Sequence, residues 1–287
     1  NFFWILLYSF FKIFYEYAFI CISLFFVGYL DDVKIKISPN TRLILMIIFL
    51  ITYIFFLPLE IYYIDLIFLD SLLDNKIFST IFVLLCFLFI VNGANLIDGF
   101  NGLLAINLII INCVLFYINL NNDKVEFSFF LAGQIIILIS FLLFNFPKAK
   151  IFLGDSGSYL FGSLIALNTI ITNNLNPQIS SFFFCILLFY LFYEVFFSFL
   201  RKVLQNKSPV LPDNKHLHML CFIKISQIFN HDKSNYMNSL LINCLFSILV
   251  LPSIYFADNG LICKYWFFAL IIIYTLIYTR LYRLTKN

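Results

Sequence analysis

The sequence predicts an all-α protein, a polytopic bundle of transmembrane helices. Of its 287 residues, 63% are hydrophobic, 21% are aromatic and only 11% are charged, whereas soluble domains carry about 25% charged residues. A soluble core of this size has no room for 40 Phe side chains. Apolar runs close to the length that crosses a bilayer as a helix, about 20 residues, recur along the whole chain. These observations exclude a soluble protein.

Nine apolar runs predict complete spans. They lie near residues 13–30, 43–57, 78–92, 103–120, 127–146, 159–173, 180–200, 238–256 and 265–279. Residues 1–11 are also apolar, and we predict that they are the tail of a further span. Because the chain begins with Asn1 instead of Met, we expect an N-terminally truncated sequence in which residues 1–287 form a single membrane domain.

The loops between the runs alternate in charge, and this alternation predicts their orientation. One set carries most of the basic residues: Lys34, Lys36, Arg42, Lys148, Lys150, Arg201, Lys202, Lys207, Lys215, Lys224, Lys233, Arg280, Arg283 and Lys286. The other set carries Lys12, Lys76, Lys124 and Lys264, with an acidic loop of Glu60, Asp65, Asp70 and Asp74. Because cytoplasmic loops are rich in Lys and Arg, we expect the first set to face the cytoplasm.

Overall charge and cysteine spacing narrow the possible partners. The net charge of +3 is small and no basic cluster is present, so we expect no nucleic acid partner. The seven cysteines are scattered without a CxxC pair. We interpret them as small apolar side chains in or near the bilayer.

Four predicted cytoplasmic loops contain nearly all the remaining polar chemistry. They read GYLDDVKIKISPNTR (28–42), VNGANLIDGFNGL (91–103), FLGDSGSYLFG (152–162) and LPDNKHLHML (211–220). Their candidate site residues are Asp31, Asp32, Asn92, Asn95, Asp98, Asn101, Asp155, Lys215, His216 and His218. Hard oxygen ligands suit Mg²⁺, which binds through one or two carboxylates together with substrate phosphates. Glycines beside the acids allow close backbone approach. The residues therefore predict a cytoplasmic-face site for a Mg²⁺-bound phosphate compound.

Each loop taken alone also has a purely structural interpretation. Asp31 and Asp32 suit a solvated helix end, Asp-Gly and Asn-Gly form turns, and the serines of GDSGS suit a helix cap. The two histidines suit an ordinary loop. One shared site explains all four loops at once. Glu194 has two open interpretations: it pairs with Arg201 or Lys202, or it orients the site.

The chain contains four motifs in this order: DD, NxxNxxDGxNGL, FLGDxGS and PDxxHLH. They resemble the motifs of the polyprenyl-phosphate N-acetylhexosamine-1-phosphate transferase superfamily. The resemblance covers essentially the whole chain. Family members have eleven spans, so the runs here resemble the third to the eleventh, preceded by the tail of the second. The part we expect to be missing includes the family's first cytoplasmic loop, which helps to hold the nucleotide sugar.

The resemblance implies an integral membrane enzyme of the plasma (inner) membrane. Such enzymes transfer a sugar 1-phosphate from a UDP-sugar to polyprenyl (undecaprenyl) phosphate and release UMP, with Mg²⁺ or Mn²⁺, as the first membrane step of cell-envelope polysaccharide synthesis. The partners it implies are therefore a UDP-sugar, a polyprenyl phosphate and membrane lipid. A homodimer is left open.

The resemblance also implies roles for individual residues. Asp31 matches the acid proposed to activate the lipid phosphate, with Asp32 next to it. Asn95 and Asp155 match the positions that hold Mg²⁺, and Asp98 matches an acid near the nucleotide and the metal.

The remaining matches lie around the substrate. Asn101 matches a position near the uracil, and we group Asn92 and Lys215 with the substrate-binding residues. His216 and His218 match a loop that contacts the phosphates or the sugar. The sequence departs from the family at Asn101, where bacterial members often have Asp. It also departs at Met219, which replaces the last His of HxHH.

Two other classes of membrane protein predict different sequence features. A transporter of an anionic or phosphorylated solute is expected to have polar groups near the bilayer midplane and internal repeats. Here the polar groups gather in cytoplasmic loops, and no repeat is found. A CDP-alcohol phosphotransferase is expected to read DGxxAR, whereas Asp98 is followed by GFNGLLA.

Overall fold

The protein is a helical bundle. The computed structural model describes residues 2–35, 37–57, 59–209, 211 and 213–286, and all their side chains except those of 2–14, 16 and 286. These residues form twelve α-helices and no strand: α1 (Phe2–Asp32), α2 (Pro39–Phe56), α3 (Ile67–Leu73), α4 (Lys76–Ile97), α5 (Leu103–Asn121), α6 (Val125–Asn145), α7 (Gly154–Leu175), α8 (Ser181–Leu187), α9 (Phe189–Leu204), α10 (Leu217–Ile225), α11 (His231–Val250) and α12 (Gly260–Lys286). A 3-10 helix, Leu251–Phe256, continues α11.

The predicted all-α membrane fold is confirmed, and every predicted run is helical. The seventh run is broken into α8 and α9, which meet at an angle of 76°. Two short helices, α3 and α10, were not predicted. Residues 1–11 were predicted as the tail of a separate span. Asn1 lies outside the described residues, and residues 2–11 continue into α1 without a break.

The number of apolar spans is lower than predicted. Within the described ranges, six helices are long and apolar enough to cross a membrane, or seven if α8 and α9 count as one bent span. These six are α2, α4, α5, α6, α11 with its 3-10 extension, and α12. Helix α7 is not among them because buried polar residues, such as Ser163, Asn168 and Thr172, interrupt its apolar sequence.

The outer surface of the bundle is strongly apolar. Phe55, Leu143 and Tyr255 have 82%, 75% and 93% of their surface exposed. Exposed apolar surface on this scale is typical of a surface that contacts lipid and not water. The distribution of side chains therefore agrees with the membrane location that the composition predicts.

Helix α7 lies at the centre of the bundle, where it packs against α1, α4 and α5. Its Asn168 side chain donates to Gln134 Oε1 at 2.7 Å and to Asn112 Oδ1 at 3.0 Å, and it accepts from the Tyr17 hydroxyl at 2.8 Å. In lipid, polar groups must find partners within the protein. These bonds tie α7 to α1, α5 and α6, and they set the rotation of α7 about its axis.

Two glycines allow helices to cross closely beside the motif residues. A Cβ atom added at Gly28 of α1 would lie 2.4 Å from the carbonyl carbon of Asp155, and one added at Gly93 of α4 would lie 2.3 Å from the carbonyl oxygen of Leu191. Small residues at helix crossings let backbones approach in this way. The amino-terminal end of α7 therefore rests directly on α1.

The Gly28→Ala substitution is expected to destabilise the fold. The new methyl group overlaps backbone atoms that cannot rotate away, so α1 and α7 must separate, which costs about 1–3 kcal/mol. Gly133→Ala in α6 is the matched control, because nothing lies within 4 Å of its added Cβ and Ala favours helix by about 1 kcal/mol over Gly. Thermal unfolding in detergent should show a lower midpoint for Gly28→Ala only. Equal midpoints for the two variants would contradict the close crossing.

Candidate active site

Five of the motif residues lie on helix ends and not in the loops where we predicted them, whereas Asp98, Asn101, Lys215 and His216 lie between helices as predicted. Asp31 and Asp32 end α1, Asn92 and Asn95 lie in the last turns of α4, and Asp155 lies in the first turn of α7. The motif stays helical in α4 because its amides find partners there: Asn92 Nδ2 donates to the Leu88 carbonyl one turn back, at 2.7 Å. Each side chain is therefore held by a rigid element.

Asp155 is the centre of a cluster that joins four helices. Its Oδ1 accepts from Asn95 Nδ2 of α4 at 2.8 Å, and its Oδ2 is ion-paired with Arg42 of α2. Arg42 Nη1 also lies 3.1 Å from Asp31 Oδ2 of α1. The carboxylates of Asp31 and Asp155, which are far apart in the sequence, thus share one guanidinium group.

Asp32 caps the amino-terminal end of α7. Its two carboxylate oxygens accept from the backbone N–H groups of Asp155 and Ser156, both at 3.0 Å. Burial alone would raise the pKa of Asp32, but hydrogen bonds from Ser156 and Asp155 lower it below its ordinary value. Gly154 has φ +67°, and a Cβ atom there would lie 2.7 Å from Asp32 Oδ2, so only glycine fits beside this carboxylate.

Asp98 follows α4 and faces the same helix end. Its Oδ2 accepts from Ser158 Oγ of α7 at 3.0 Å. Burial raises the pKa of Asp98 to about 6, against the lowering effect of the Ser158 hydrogen bond and with help from the charges of Asp155 and Asp32. Asp31, Asp32, Asn95, Asp98 and Asp155 are thus brought together.

The raised pKa of Asp98 predicts a pH-dependent stability. The folded protein keeps this proton up to about pH 6, whereas the unfolded chain releases it near the ordinary value of 3.8. Stability from this group is therefore present below the ordinary value and is lost as the pH rises through about 6. In metal-free buffer, the melting temperature of the wild type relative to Asp98→Asn should fall between about pH 4 and about pH 7. Parallel curves for the two proteins would contradict the raised pKa.

Asn92 and Asn101 lie beside the cluster but bond elsewhere. Asn92 bonds within its own helix, as described above. The backbone N–H of Asn101 donates to Asn235 Oδ1 at 2.8 Å, and its side chain donates to the Pro147 carbonyl at 3.0 Å. Asn101 is therefore held between α11 and the segment that precedes α7.

The two predicted histidines form a second cluster. His216 Nδ1 lies 3.1 Å from Glu194 Oε1, and His218 Nδ1 lies 3.2 Å from the Tyr190 hydroxyl. Lys215 lies with its ammonium group 5.6 Å from the centre of the Tyr282 ring. The ring of Phe100, two residues after Asp98, packs edge-on against His218 at 5.8 Å between ring centres. The loop between α4 and α5 thus connects the two clusters.

The open question about Glu194 is decided by its contacts. Its carboxylate accepts from His216 and, at 2.6 Å, from the Tyr274 hydroxyl. Arg201 instead binds Asp213 through both terminal nitrogens, at 2.7 and 3.2 Å, and the Lys202 ammonium donates to the carbonyls of Pro209 and Leu211. Glu194 therefore contacts the histidine loop and not Arg201 or Lys202.

The donor set around Asp155 fits Mg²⁺. No three His, Cys, Asp or Glu side chains converge as a metal cage in the part of the chain that the structure describes. Mg²⁺ needs no such cage, since one or two carboxylates together with phosphate oxygens suffice. Asn95 and Asp155 touch at 2.8 Å, and a half-turn of the amide would present its oxygen. The contact with Arg42 shows that this carboxylate faces positive charge.

Sequence reasoning missed several residues of the site. Arg42 was counted only among the basic cytoplasmic residues, although it ends the GYLDDVKIKISPNTR stretch. The bonds of Ser158 to Asp98 and of Tyr190 to His218 link positions far apart in the chain. No local pattern signals such pairs.

Together, the fold and the site define an integral membrane protein whose acidic cluster is assembled at the ends of its helices. Residues 15–173 match the family model described as Glycosyl transferase family 4. The chain belongs to this family, and the resemblance of the motifs is confirmed. The matched range contains the whole Asp155 cluster, whereas the histidine cluster lies outside it.

The chain is similar to several transferases over part of their length. An undecaprenyl-phosphate alpha-N-acetylglucosaminyl 1-phosphate transferase of Thermotoga maritima is 28% identical over 206 residues, which are 72% of this chain and 61% of that protein. A probable undecaprenyl-phosphate N-acetylglucosaminyl 1-phosphate transferase of Bacillus subtilis is 33% identical over 133 residues, 45% of this chain and 36% of that protein. A phospho-N-acetylmuramoyl-pentapeptide-transferase of Clostridium perfringens is 30% identical over 157 residues, 51% of this chain and 49% of that protein. The chain spans less than two thirds of the length of these relatives.

Proposed function

We propose that the protein transfers a sugar 1-phosphate, of the N-acetylhexosamine type, from a UDP-sugar to a polyprenyl phosphate. The printed names of the relatives support this reaction class. The single observation that carries the proposal is the contact of Asp155 with both Asn95 and Arg42, with Asp31 on the same guanidinium group. Carboxylates beside a guanidinium group are suited to a metal-bound diphosphate, and this supports the proposal.

The reaction is a phosphoryl transfer. An oxygen of the lipid phosphate attacks the β-phosphorus of the UDP-sugar, the bond from that phosphorus to the bridging oxygen breaks, and UMP leaves with that oxygen. Asn95 and Asp155 would hold Mg²⁺. When bound, Mg²⁺ neutralises the diphosphate and the departing UMP.

The acids of the Asp155 cluster have different roles in the proposed reaction. Asp31 acts as the base for a lipid phosphate that still carries a proton, and Arg42 holds phosphate oxygens between Asp31 and Asp155. Asp32 fixes the start of α7 through its two backbone hydrogen bonds, so it positions Asp155. Asp98 serves the nucleotide side, with Asn92 and Asn101 beside it. Lys215 and the histidine loop face the phosphates or the sugar.

An apolar cavity is suited to the lipid tail. A cavity of about 350 Å³ lies among α4, α7, α8, α9, α12 and the segment before α3, and its lining includes Ile64, Phe89, Ala166, Phe184 and Phe267. On α4 and α7 the lining residues lie along the helices away from the ends that carry Asn95 and Asp155, so a long chain with its phosphate at the cluster would run along these helices. We assign this cavity to the isoprenoid chain of the acceptor, because that chain is apolar and the cavity lining is almost entirely apolar.

The site is proposed to face the cytoplasm of the plasma membrane. In a variant without its native cysteines, a cysteine at the exposed Ser208 should resist an impermeant thiol reagent in intact cells. A cysteine at the exposed Ser71 should react. This expectation follows from the concentration of Lys and Arg on the Ser208 side. Labelling in the opposite sense would place the site outside the cell.

The function is tested by UMP release. Membranes containing the protein are incubated with Mg²⁺, a polyprenyl phosphate and a panel of UDP-sugars. The proposal predicts that UMP forms with at least one UDP-N-acetylhexosamine and only when the lipid phosphate is added. UMP release that is the same with and without the lipid phosphate would indicate a hydrolase. Uptake of intact UDP-sugar without UMP release would indicate a transporter.

A further inference from the structure

Glu194 is a buried acid that contacts the histidine loop through one carboxylate oxygen and α12 through the other. It lies in α9, the second half of the bent pair, and only 1% of its surface is exposed. Ionisable groups in membrane segments are expensive and are retained for a purpose. Its Oε1 accepts from the Leu217 N–H and contacts His216 Nδ1, both at 3.1 Å, and its Oε2 accepts from the Tyr274 hydroxyl at 2.6 Å.

These contacts join three elements at the start of α10. Glu194 belongs to α9, Tyr274 to α12, and Leu217 is the first residue of α10. A carboxylate at a helix amino-terminal end is favoured by the free N–H groups and by the helix dipole. Glu194 therefore fixes both the position of α10 and the ring of the residue that precedes it.

His216 has neither ring nitrogen free for a ligand. Its Nδ1 faces Glu194, and its Nε2 lies 3.4 Å from Asp213 Oδ1. Asp213 is in turn held by the two terminal nitrogens of Arg201. The ring of His216 is thus fixed between two carboxylates, which is the arrangement of a structural histidine.

His218 presents the opposite arrangement. Its Nδ1 bonds to the Tyr190 hydroxyl, whereas its Nε2 is buried and has no hydrogen-bond partner among the described residues. Burial lowers the pKa of His218 to about 4, so the ring is neutral. We assign the proton to Nε2, because the Tyr190 hydroxyl has no other hydrogen-bond partner among the described residues and can donate to Nδ1. A buried donor without a partner is costly, so this N–H awaits an acceptor from a ligand.

The two rings are mechanically connected. His216 and His218 stack with an interplanar angle of 6° and 5.6 Å between ring centres. Residues two apart at the start of α10 do not rotate independently of that helix. We therefore expect a change that releases His216 from Glu194 to move the ring of His218 as well.

We propose that Glu194 is a positioning residue that, through His216 and the start of α10, aims His218 Nε2 at a phosphate oxygen of the nucleotide. His216 itself makes no contact with the ligand. The identity of the ligand rests on the proposed function, but the positioning of one ring by the other does not.

NMR of the histidine side chains tests whether His218 contacts the ligand and His216 does not. The chain has three His residues, so a protein labelled with ¹⁵N only at histidine gives few signals, which His216→Asn, His218→Gln and His231→Gln assign. UMP is the probe. We expect UMP to shift the Nε2 signal of His218 and to leave the signals of His216 in place. A shift of His216 as large as that of His218 would overturn the proposal.

The Glu194→Gln variant tests the positioning role. Without ligand, it should shift the signals of both His216 and His218, and UMP should bind roughly tenfold more weakly, the lower end of the loss seen when an orienting partner of a metal-bound histidine is removed. Glu126→Gln, at an exposed position of α6, should change neither property. If Glu194→Gln shifted only His216, or left UMP binding unchanged, the proposal would be wrong.

A milder variant covers the case in which Glu194→Gln does not fold. Tyr274→Phe removes only the hydrogen bond to Oε2, and it should shift both histidine signals in the same direction by a smaller amount. Unchanged signals in Tyr274→Phe would count against the proposal. If the wild type fails to bind UMP at all, the proposed function fails, while the ligand-free shifts still decide the positioning role.

Discussion

Replacing Asp155 by Asn is expected to lower the rate of phosphosugar transfer by about 10²–10³-fold, the usual effect of losing one preorganised electrostatic group. Asn cannot supply the negative charge that a divalent cation requires, and it cannot form the ion pair with Arg42. The hydrogen bond from Asn95 can persist, so the fold should survive. UMP release measured at saturating Mg²⁺ and donor gives the rate.

The control for this substitution is Asp74→Asn, at an exposed position next to α3. It removes the same charge far from the cluster and should keep the wild-type rate. Binding of Mn²⁺, followed by electron paramagnetic resonance without substrate, should weaken in Asp155→Asn only. Near-normal turnover of Asp155→Asn would show that Asp155 is not a metal ligand.

Replacing Arg42 by Gln is the second substitution for which a large loss is expected, about 10²-fold in turnover. The guanidinium group lies between Asp31 and Asp155, so its removal leaves two carboxylates without the cation they share. It also removes the fork of donors that suits phosphate oxygens. Arg42→Lys keeps the charge but not the fork, so it should recover only part of the rate.

Metal binding distinguishes Arg42 from Asp155. Arg42→Gln should not weaken Mn²⁺ binding, because it removes a cation that competes for the Asp155 carboxylate. Arg280→Gln, at an exposed position of α12, is the control and should behave as the wild type. If Arg42→Gln bound Mn²⁺ more weakly but kept full turnover at saturating Mn²⁺, Arg42 would not have the phosphate-binding role.

The fold was predictable from the sequence because apolar runs report directly on burial in lipid. Every run of this kind became a helix. Of the two exceptions, the composition of α7 has a physical reason, whereas the sequence carries no signal for the break between α8 and α9. Helix α7 is less apolar than a lipid-facing span because Asn168 and its neighbours bond within the bundle. The break between α8 and α9 interrupts an apolar sequence that carries no proline.

The site was predictable in its parts but not in its assembly. The acids and amides could be named because polar residues are rare beside apolar spans. Their contacts could not, since Asp155 meets Asn95 and Arg42 across helices 60 and 113 residues apart in the chain. From the sequence, we also predicted the same substrate-binding role for His216 and His218. The structure distinguishes them, because the carboxylates of Glu194 and Asp213 lie on either side of the His216 ring.

The fate of the β-phosphate tests the proposed reaction most directly. A UDP-N-acetylhexosamine carries radioactive phosphorus at the β position and tritium in the sugar, and it is incubated with the protein, Mg²⁺ and polyprenyl phosphate. Phosphosugar transfer predicts that both labels enter the lipid fraction in equal amounts and that the released UMP is unlabelled. Tritium in the lipid with the radioactive phosphorus left in UDP would mean transfer of the sugar alone and would contradict the proposal.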